Sequence, residues 1–196
     1  MKMFTVALIA IVLVVAAVAL HPRIARADLL KEGQIAPPFT TQMVTGETEA
    51  PVSLADFHGK KIILYFYPKD ETSGCTKEAC AFRDGYARYT NAGLVVLGCS
   101  IDSAEAHKDF IRKNGLPFPL LLDPGKKIAT AYGAANGIPI LGLDRRITYV
   151  IDENGKILKV YPSVDPSTHA IEILNDLGVS NTVPPAPAKP AAPASN

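Results

Sequence analysis

Two stretches of this chain, Lys61–Tyr67 and Leu94–Cys99, are apolar at almost every position rather than at every second one. A strand with one face in water alternates apolar and polar residues, whereas a near-continuous run suits a strand covered on both faces. Segments with helical spacing follow each run and can supply that cover. Ala79, Phe82, Tyr86 and Tyr89 recur three and four residues apart, which predicts one helix over Thr72–Asn91, stopped at Gly93. After the second run, Ser103, Ala106 and Phe110 predict a helix ending at Asn114-Gly115.

The remaining elements fall around this pair. Phe39–Val44 and Ala50–Val52 read as short strands about a Gly46-Glu47 turn, and Ser53 can cap a single helical turn to Phe57. Phe118–Leu122 is a strand between prolines, and Lys126–Tyr132 a short helix. Arg146–Ile151 and Lys156–Tyr161 are strands joined by the hairpin signal Asp152-Glu153-Asn154-Gly155, and Pro166–Leu177 is a last helix before Gly178. Strand–helix alternation followed by a hairpin and a helix indicates an α/β fold with a mixed central sheet flanked by helices, and a thioredoxin-like arrangement fits that order.

The two ends do not belong to this core. Lys2 precedes an uncharged run from Met3 to Leu20, His21-Pro22 interrupts it, and Ala25-Arg26-Ala27 follows. A basic start, an apolar stretch and an Ala-x-Ala site predict a secretory signal peptide over residues 1–27, or an N-terminal membrane anchor if the segment is retained. Both place the domain outside the cytoplasm, with a bacterial periplasm as the expected compartment. From Val183 the chain alternates Pro and Ala, so residues 180–196 are expected to form an extended tail that cannot build a core. The folded domain is then residues 28–179. The net charge of the whole chain is +1, and loss of Lys2, Arg23 and Arg26 would leave 17 basic and 19 acidic residues. Neither balance offers a basic field for nucleic acid.

The chemistry concentrates at Cys75, where the loop after the first apolar run meets the start of a helix. Thiolate is the reactive form of cysteine, and the N–H groups of a first helical turn favour that negative charge. The Thr72 hydroxyl could add a hydrogen bond, and Arg145 or Arg146 at the start of a later strand could add a cation. Cys80 is the candidate disulfide partner, with a small buried apolar side chain as the alternative reading. On an ideal helix, residues five apart lie about 8.7 Å between Cα atoms and about 140° around the axis. A disulfide needs roughly 4.4–6.8 Å, so this turn must unwind before the two sulfurs can bond. Cys99, at the end of an apolar strand, reads as an inert core thiol. His21, His58, His107 and His169 share no metal-ligand spacing and read as surface or packing residues. Asp102, Ser103 and Glu105 read as the cap and acidic first turn of a helix.

The stretch Pro68-Lys69-Asp70-Glu71-Thr72-Ser73-Gly74-Cys75 resembles the Pro-x-x-x-Thr/Ser-x-x-Cys signature of peroxiredoxins. Extended from Tyr65 to Asp84 through Cys80, it is similar to the bacterioferritin-comigratory-protein subgroup, also called peroxiredoxin Q. The similarity runs from about Gly33 to Leu177 and includes Gly98–Ser103, Phe118–Asp123 and Arg146–Ile157. It implies a thioredoxin fold and a thiol-dependent peroxidase acting on hydrogen peroxide and organic hydroperoxides. Cys75 then matches the peroxidatic cysteine, Thr72 the donor to the peroxide oxygens, Pro68 the shield from water, and Arg146 rather than Arg145 the arginine that steadies the thiolate. Cys80 matches the resolving cysteine, whose disulfide with Cys75 a thioredoxin-type reductant reopens. The resemblance implies no cofactor and no metal, and a monomer is expected. Cys99 departs from the relatives' usual residue, which leaves a third redox thiol open. An exported copper carrier would call for Cys-x-x-x-Cys with a placed histidine, and a disulfide oxidoreductase for Cys-x-x-Cys. The four-residue gap between Cys75 and Cys80 suits neither.

Overall fold

The computed structural model describes residues 28–135 and 142–179. The proposed leader, 1–27, and the proposed tail, 180–196, lie outside the described residues. The chain forms β1 (Thr40–Thr45), β2 (Thr48–Ser53), a 3-10 turn (Leu54–Phe57), β3 (Lys61–Phe66), α1 (Ser73–Asp84), α2 (Tyr86–Asn91), β4 (Leu94–Ser100) and α3 (Ala104–Asn114). It continues with β5 (Leu120–Leu122), α4 (Lys127–Ala131), β6 (Ile147–Ile151), β7 (Ile157–Tyr161) and α5 (His169–Asp176).

The strands make one sheet in the order β2-β1-β5-β4-β3-β6-β7. β3 pairs in parallel with β4, and β4 with β5, across the crossovers that carry α1–α2 and α3. The pairs β1–β2, β1–β5, β3–β6 and β6–β7 are antiparallel. The two apolar runs are therefore neighbours at the centre, with Phe66 opposite Cys99 and also opposite Ile147. Successive side chains of β3 serve two separate cores. Ile63, Tyr65 and Tyr67 pack with Phe82, Tyr89, Phe110, Phe118 and Leu174 on one face. Ile62, Leu64 and Phe66 pack with Leu121, Ile128, Tyr132 and Tyr149 on the other. Gly98, opposite Tyr65, permits a close approach, since a Cβ there would stand 2.6 Å from Leu120 Cδ2 and 2.8 Å from the Tyr65 hydroxyl oxygen.

The helix expected over Thr72–Asn91 is two helices rather than one. Gly85, at φ −90° and ψ −1°, ends α1 and opens α2. Its N–H bonds Ala81 O at 3.2 Å, but Arg88 N–H reaches Gly85 O at 2.9 Å, so the spiral tightens and bends there. Glycine leaves room for the bend, because a Cβ would meet the Tyr89 ring at 3.3 Å and Leu174 at 3.6 Å. The last helix starts at His169, later than its spacing suggests, because Asp165 organises a turn that takes in Ser167, Thr168 and His169 N–H groups. Ser103 caps α3 by accepting from Ala106 N–H, with Glu105 in the first turn.

Candidate active site

β3 ends when Tyr67 N–H makes a last bond to Cys99 O, and the half-buried Pro68 turns the chain out of the sheet. Lys69–Glu71 form the loop, and Thr72, extended at φ −80° and ψ 147°, is the N-cap of α1. Cys75 is the third residue of that helix, 1% exposed, in the first turn where backbone N–H groups have no helical partner. The Thr72 hydroxyl donates to Lys69 O at 3.1 Å. It thus closes the loop rather than bonding Cys75, and its carbonyl accepts from Thr76 N–H at 2.9 Å.

The cation comes from the far side of the sheet's connectivity. Arg146, immediately before β6, directs Nη2 to Cys75 Sγ at 3.2 Å. β6 is antiparallel to β3, with Phe66 opposite Ile147, so the start of β6 lies beside the end of β3 where the loop begins. Arg145 goes elsewhere: its guanidinium donates to Gly133 O at 3.3 Å and its backbone N–H to Ala134 O.

Sequence reasoning passed over Glu78. It lies three residues after Cys75, on the same side of α1, fully buried, and its Oε2 accepts from Arg146 Nη1. The acidic residue three positions after the candidate nucleophile was the available signal. Burial pushes the Glu78 carboxyl up to about 7, against the pull of the Arg146 charge in the other direction. Burial works against the Arg146 charge too, but Glu78 and Cys75 outweigh it and leave the guanidinium above its ordinary value. Gly74 gives the guanidinium room, since a Cβ there would stand 3.2 Å from Arg146 Nη2 and press on it. A guanidinium fork between a thiol and a carboxylate, at a helix start, can donate both to the sulfur and to an oxygen bound beside it.

Cys80 lies half-buried on the same helix, its Sγ 3.9 Å from Asn114 Oδ1 at the end of α3. Cys75, Cys80 and Cys99 are all free thiols. Cys99 belongs to the core on the other face of the sheet, and burial pushes its thiol well above the ordinary range, with Asp123 and Asp144 adding to the effect.

Two histidines are more than packing residues. His107 is buried, with Nδ1 2.7 Å from Asp70 Oδ2. His169 is buried with Nε2 2.8 Å from Thr148 Oγ1 and Nδ1 3.2 Å from Glu172 Oε2, and burial lowers its pKa. His58 is exposed, as expected, and His21 lies outside the described residues. Asp102 also differs from its reading as part of a helix start. It is buried, and its Oδ2 accepts from Asp70 N–H at 2.8 Å and from the Ser100 hydroxyl at 2.7 Å.

Comparison with known proteins agrees with this geometry. The AhpC/TSA family model matches residues 33–160. A chloroplastic peroxiredoxin Q of Sedum lineare is 46% identical over 144 residues, covering 73% of this chain and 75% of that protein. A Coxiella burnetii protein named as a peroxiredoxin bcp is 45% identical over 153 residues, covering 76% and 99%. Among solved structures, peroxidoxin BcpB from Mycobacterium tuberculosis superposes with a TM-score of 0.68 at 29% identity, over 78% of this chain and 99% of that one. The bacterioferritin comigratory protein of Xanthomonas campestris, whose trapped intermediate and ligand complexes bear on its alkyl peroxide reduction, gives 0.65 at 27% identity over 71% and 90%. A buried thiol at a helix start under an arginine, on a thioredoxin-like sheet shared with these relatives, means that the chain belongs to the AhpC/TSA family, in its peroxiredoxin Q and bacterioferritin-comigratory group, and is a thiol-dependent peroxidase that works through cysteine.

Proposed function

We propose that Cys75 is the peroxidatic nucleophile and Cys80 its resolving partner. The observation that carries this reading is the Arg146 Nη2 to Cys75 Sγ contact of 3.2 Å at the first turn of α1. The Cys75 thiolate attacks the terminal oxygen of a hydroperoxide. The O–O bond breaks, Cys75 becomes a sulfenic acid, and the departing alkoxide or hydroxide takes a proton to leave as alcohol or water. Arg146 is placed to stabilise the charge as it moves from sulfur to the departing oxygen. Pro68 shields the thiol on the loop side. Thr72 becomes a peroxide donor once its hydroxyl turns from Lys69 O. The Cys80 thiolate then attacks the sulfenic sulfur, forming the S–S bond as hydroxide leaves and is protonated to water.

Two electrons from a thioredoxin-type dithiol reopen the disulfide by exchange. Substrates include hydrogen peroxide and organic hydroperoxides, the latter supported by the alkyl peroxide reduction named for the Xanthomonas campestris relative. The sequence of residues 1–27 supports export, soluble after cleavage or anchored without it, and the domain is proposed to act as a monomer. The dithiol donor would then act outside the cytoplasm.

Counting free thiols after one equivalent of hydrogen peroxide tests the scheme. Two thiols should disappear rapidly, Cys75→Ser should abolish the loss, and Cys80→Ser should leave a sulfenic acid at Cys75. Arg146→Ala should slow the first step about 10²-fold, the usual cost of one preorganised donor at a developing charge. A rate within a few-fold of wild type would remove Arg146 from the mechanism.

A further inference from the structure

Beneath the Cys75 turn lies a buried polar cluster that the thiol chemistry above does not use. Asp70, in the loop between β3 and α1, is buried. The Tyr67 hydroxyl donates to its Oδ1 at 2.8 Å, and His107 Nδ1 lies 2.7 Å from its Oδ2. The backbone N–H of Asp70 donates to Asp102 Oδ2, which the Ser100 hydroxyl also holds. His107 Nε2 in turn lies 3.3 Å from Leu121 O. Both ring nitrogens thus face oxygen atoms of other elements, which fixes the ring's orientation. Tyr67 at the end of β3, Asp102 just after β4 and His107 on α3 thus all hold one loop residue.

That residue precedes a strained one. Glu71 has φ +60°, a left-handed conformation that residues with a side chain rarely adopt. Such a turn persists only where its surroundings over-determine it. Here Asp70 is pinned on one side, while the Thr72 hydroxyl bonds back to Lys69 O and Lys113 pairs with Glu71 at 3.2 Å on the other. Thr72 then caps the helix whose third residue is Cys75. A buried polar pair is a poor way to gain stability, because apolar residues of the same size often do as well. Its value lies in specifying one conformation of the loop.

We propose that His107 is a positioning residue for Cys75, acting through Asp70: the pair holds the Glu71 turn and the first turn of α1, and so sets how readily that turn gives way to let Cys80 in. This rests on the reading that Cys75 is oxidised and Cys80 resolves. In the intact turn, the Cys75 sulfenic acid can react with a second peroxide, its sulfur taking one oxygen to give a sulfinic acid while the O–O bond breaks and water or alcohol leaves. In the unwound turn the same group gives the disulfide and water. The His107–Asp70 pair speeds the first oxidation, slows disulfide formation and raises the sulfinic share at high peroxide.

The test uses the full chain, with hydrogen peroxide as probe, rapid-mixing measurement of each step, and mass spectrometry of the products. His107→Leu, which keeps the volume and removes both polar contacts, should slow Cys75 oxidation by about tenfold or more, the scale expected when a reacting group is displaced by a fraction of an ångström. Disulfide formation should be no slower, and the sulfinic share should fall. His107→Asn, whose amide can replace the Nδ1 contact, should restore oxidation to within about threefold. Oxidation at the wild-type rate in a folded His107→Leu variant overturns the proposal. Equal slowing of both steps with an unchanged sulfinic share does so too, because a merely structural role predicts that. If His107→Leu does not fold, Tyr67→Phe removes one hydroxyl from the same carboxylate: slower oxidation with a lower sulfinic share supports the proposal, and unchanged rates overturn it. Failure of the underlying reading would show in the wild-type protein instead, as an unmodified Cys75 or a disulfide that does not include Cys80.

Discussion

Arg146 serves two groups with opposed needs. Its Nη2 faces Cys75 Sγ and its Nη1 faces the Glu78 carboxylate, both within one turn of α1. Ionised Glu78 fixes the guanidinium, yet it also competes with the thiolate for the same positive charge. Its cost to the fold depends on pH. Burial raises the folded carboxyl to about 7 from its ordinary value of 4.5. Between those values the folded protein keeps a proton that the unfolded chain has released, so this contribution to stability is present below pH 4.5 and is lost as pH rises towards 7. Glu78→Gln, which cannot titrate, should therefore flatten the change in melting temperature between pH 5 and pH 7.5. Thermal melts of the two proteins read this directly, and an identical pH slope would show that Glu78 stays ionised throughout.

At the scale of the element, the proposed Cys75–Cys80 disulfide asks α1 to be both rigid and breakable. Its first turn presents Cys75 to Arg146, and the same turn separates Cys75 from Cys80 by about 8.7 Å between Cα atoms on ideal geometry. A disulfide requires roughly 4.4–6.8 Å, so Cys75 and Cys80 cannot bond within the intact helix. The break at Gly85 confines the disruption, because α2 is already a separate helix anchored through Tyr89, whose hydroxyl donates to Ala170 O. Amide hydrogen exchange of the oxidised protein should accordingly rise across residues 72–84 and stay near the reduced level in α2 and the sheet. Protection unchanged over 72–84 after oxidation would mean that the disulfide forms by another route.

At the scale of the whole molecule, the sheet separates Cys75 from Cys99. Cys75 lies in the core beneath α1 and α5, while Cys99 lies in the core on the opposite face with Ile62, Leu64, Phe66 and Tyr132. A continuous layer of paired strands stands between them, and the Cys99 thiol is held protonated by burial. Cys99→Ala should leave peroxide consumption within about twofold of wild type and lower stability by about 1 kcal/mol, the scale of a small core truncation. Enzyme assays and denaturant unfolding check the two halves, and a large loss of turnover would give Cys99 a redox role.

The order of elements and the helix start at Cys75 were written in local patterns: unbroken apolar runs, three- and four-residue spacing, and a proline-to-cysteine loop. Periodicity reports which face a neighbourhood buries, so it located β3, β4 and α3 within a residue or two. It overlooked the bend at Gly85, a residue over which the Tyr89 ring packs closely. Glu78 was legible at helical spacing from Cys75. Arg146, 71 residues after Cys75, became a distinct choice over Arg145 through a family resemblance, and in the structure through the antiparallel register of β6 on β3. The Asp70–His107 contact joins residues 37 apart, and no periodic signal marks it. The sequence by itself thus determined the sheet's core strands and the thiol at a helix start, because these follow from nearest-neighbour chemistry. Only the tertiary structure decided which charges meet that thiol and what holds its loop, because both depend on strand order and register, which bring distant side chains within hydrogen-bond reach.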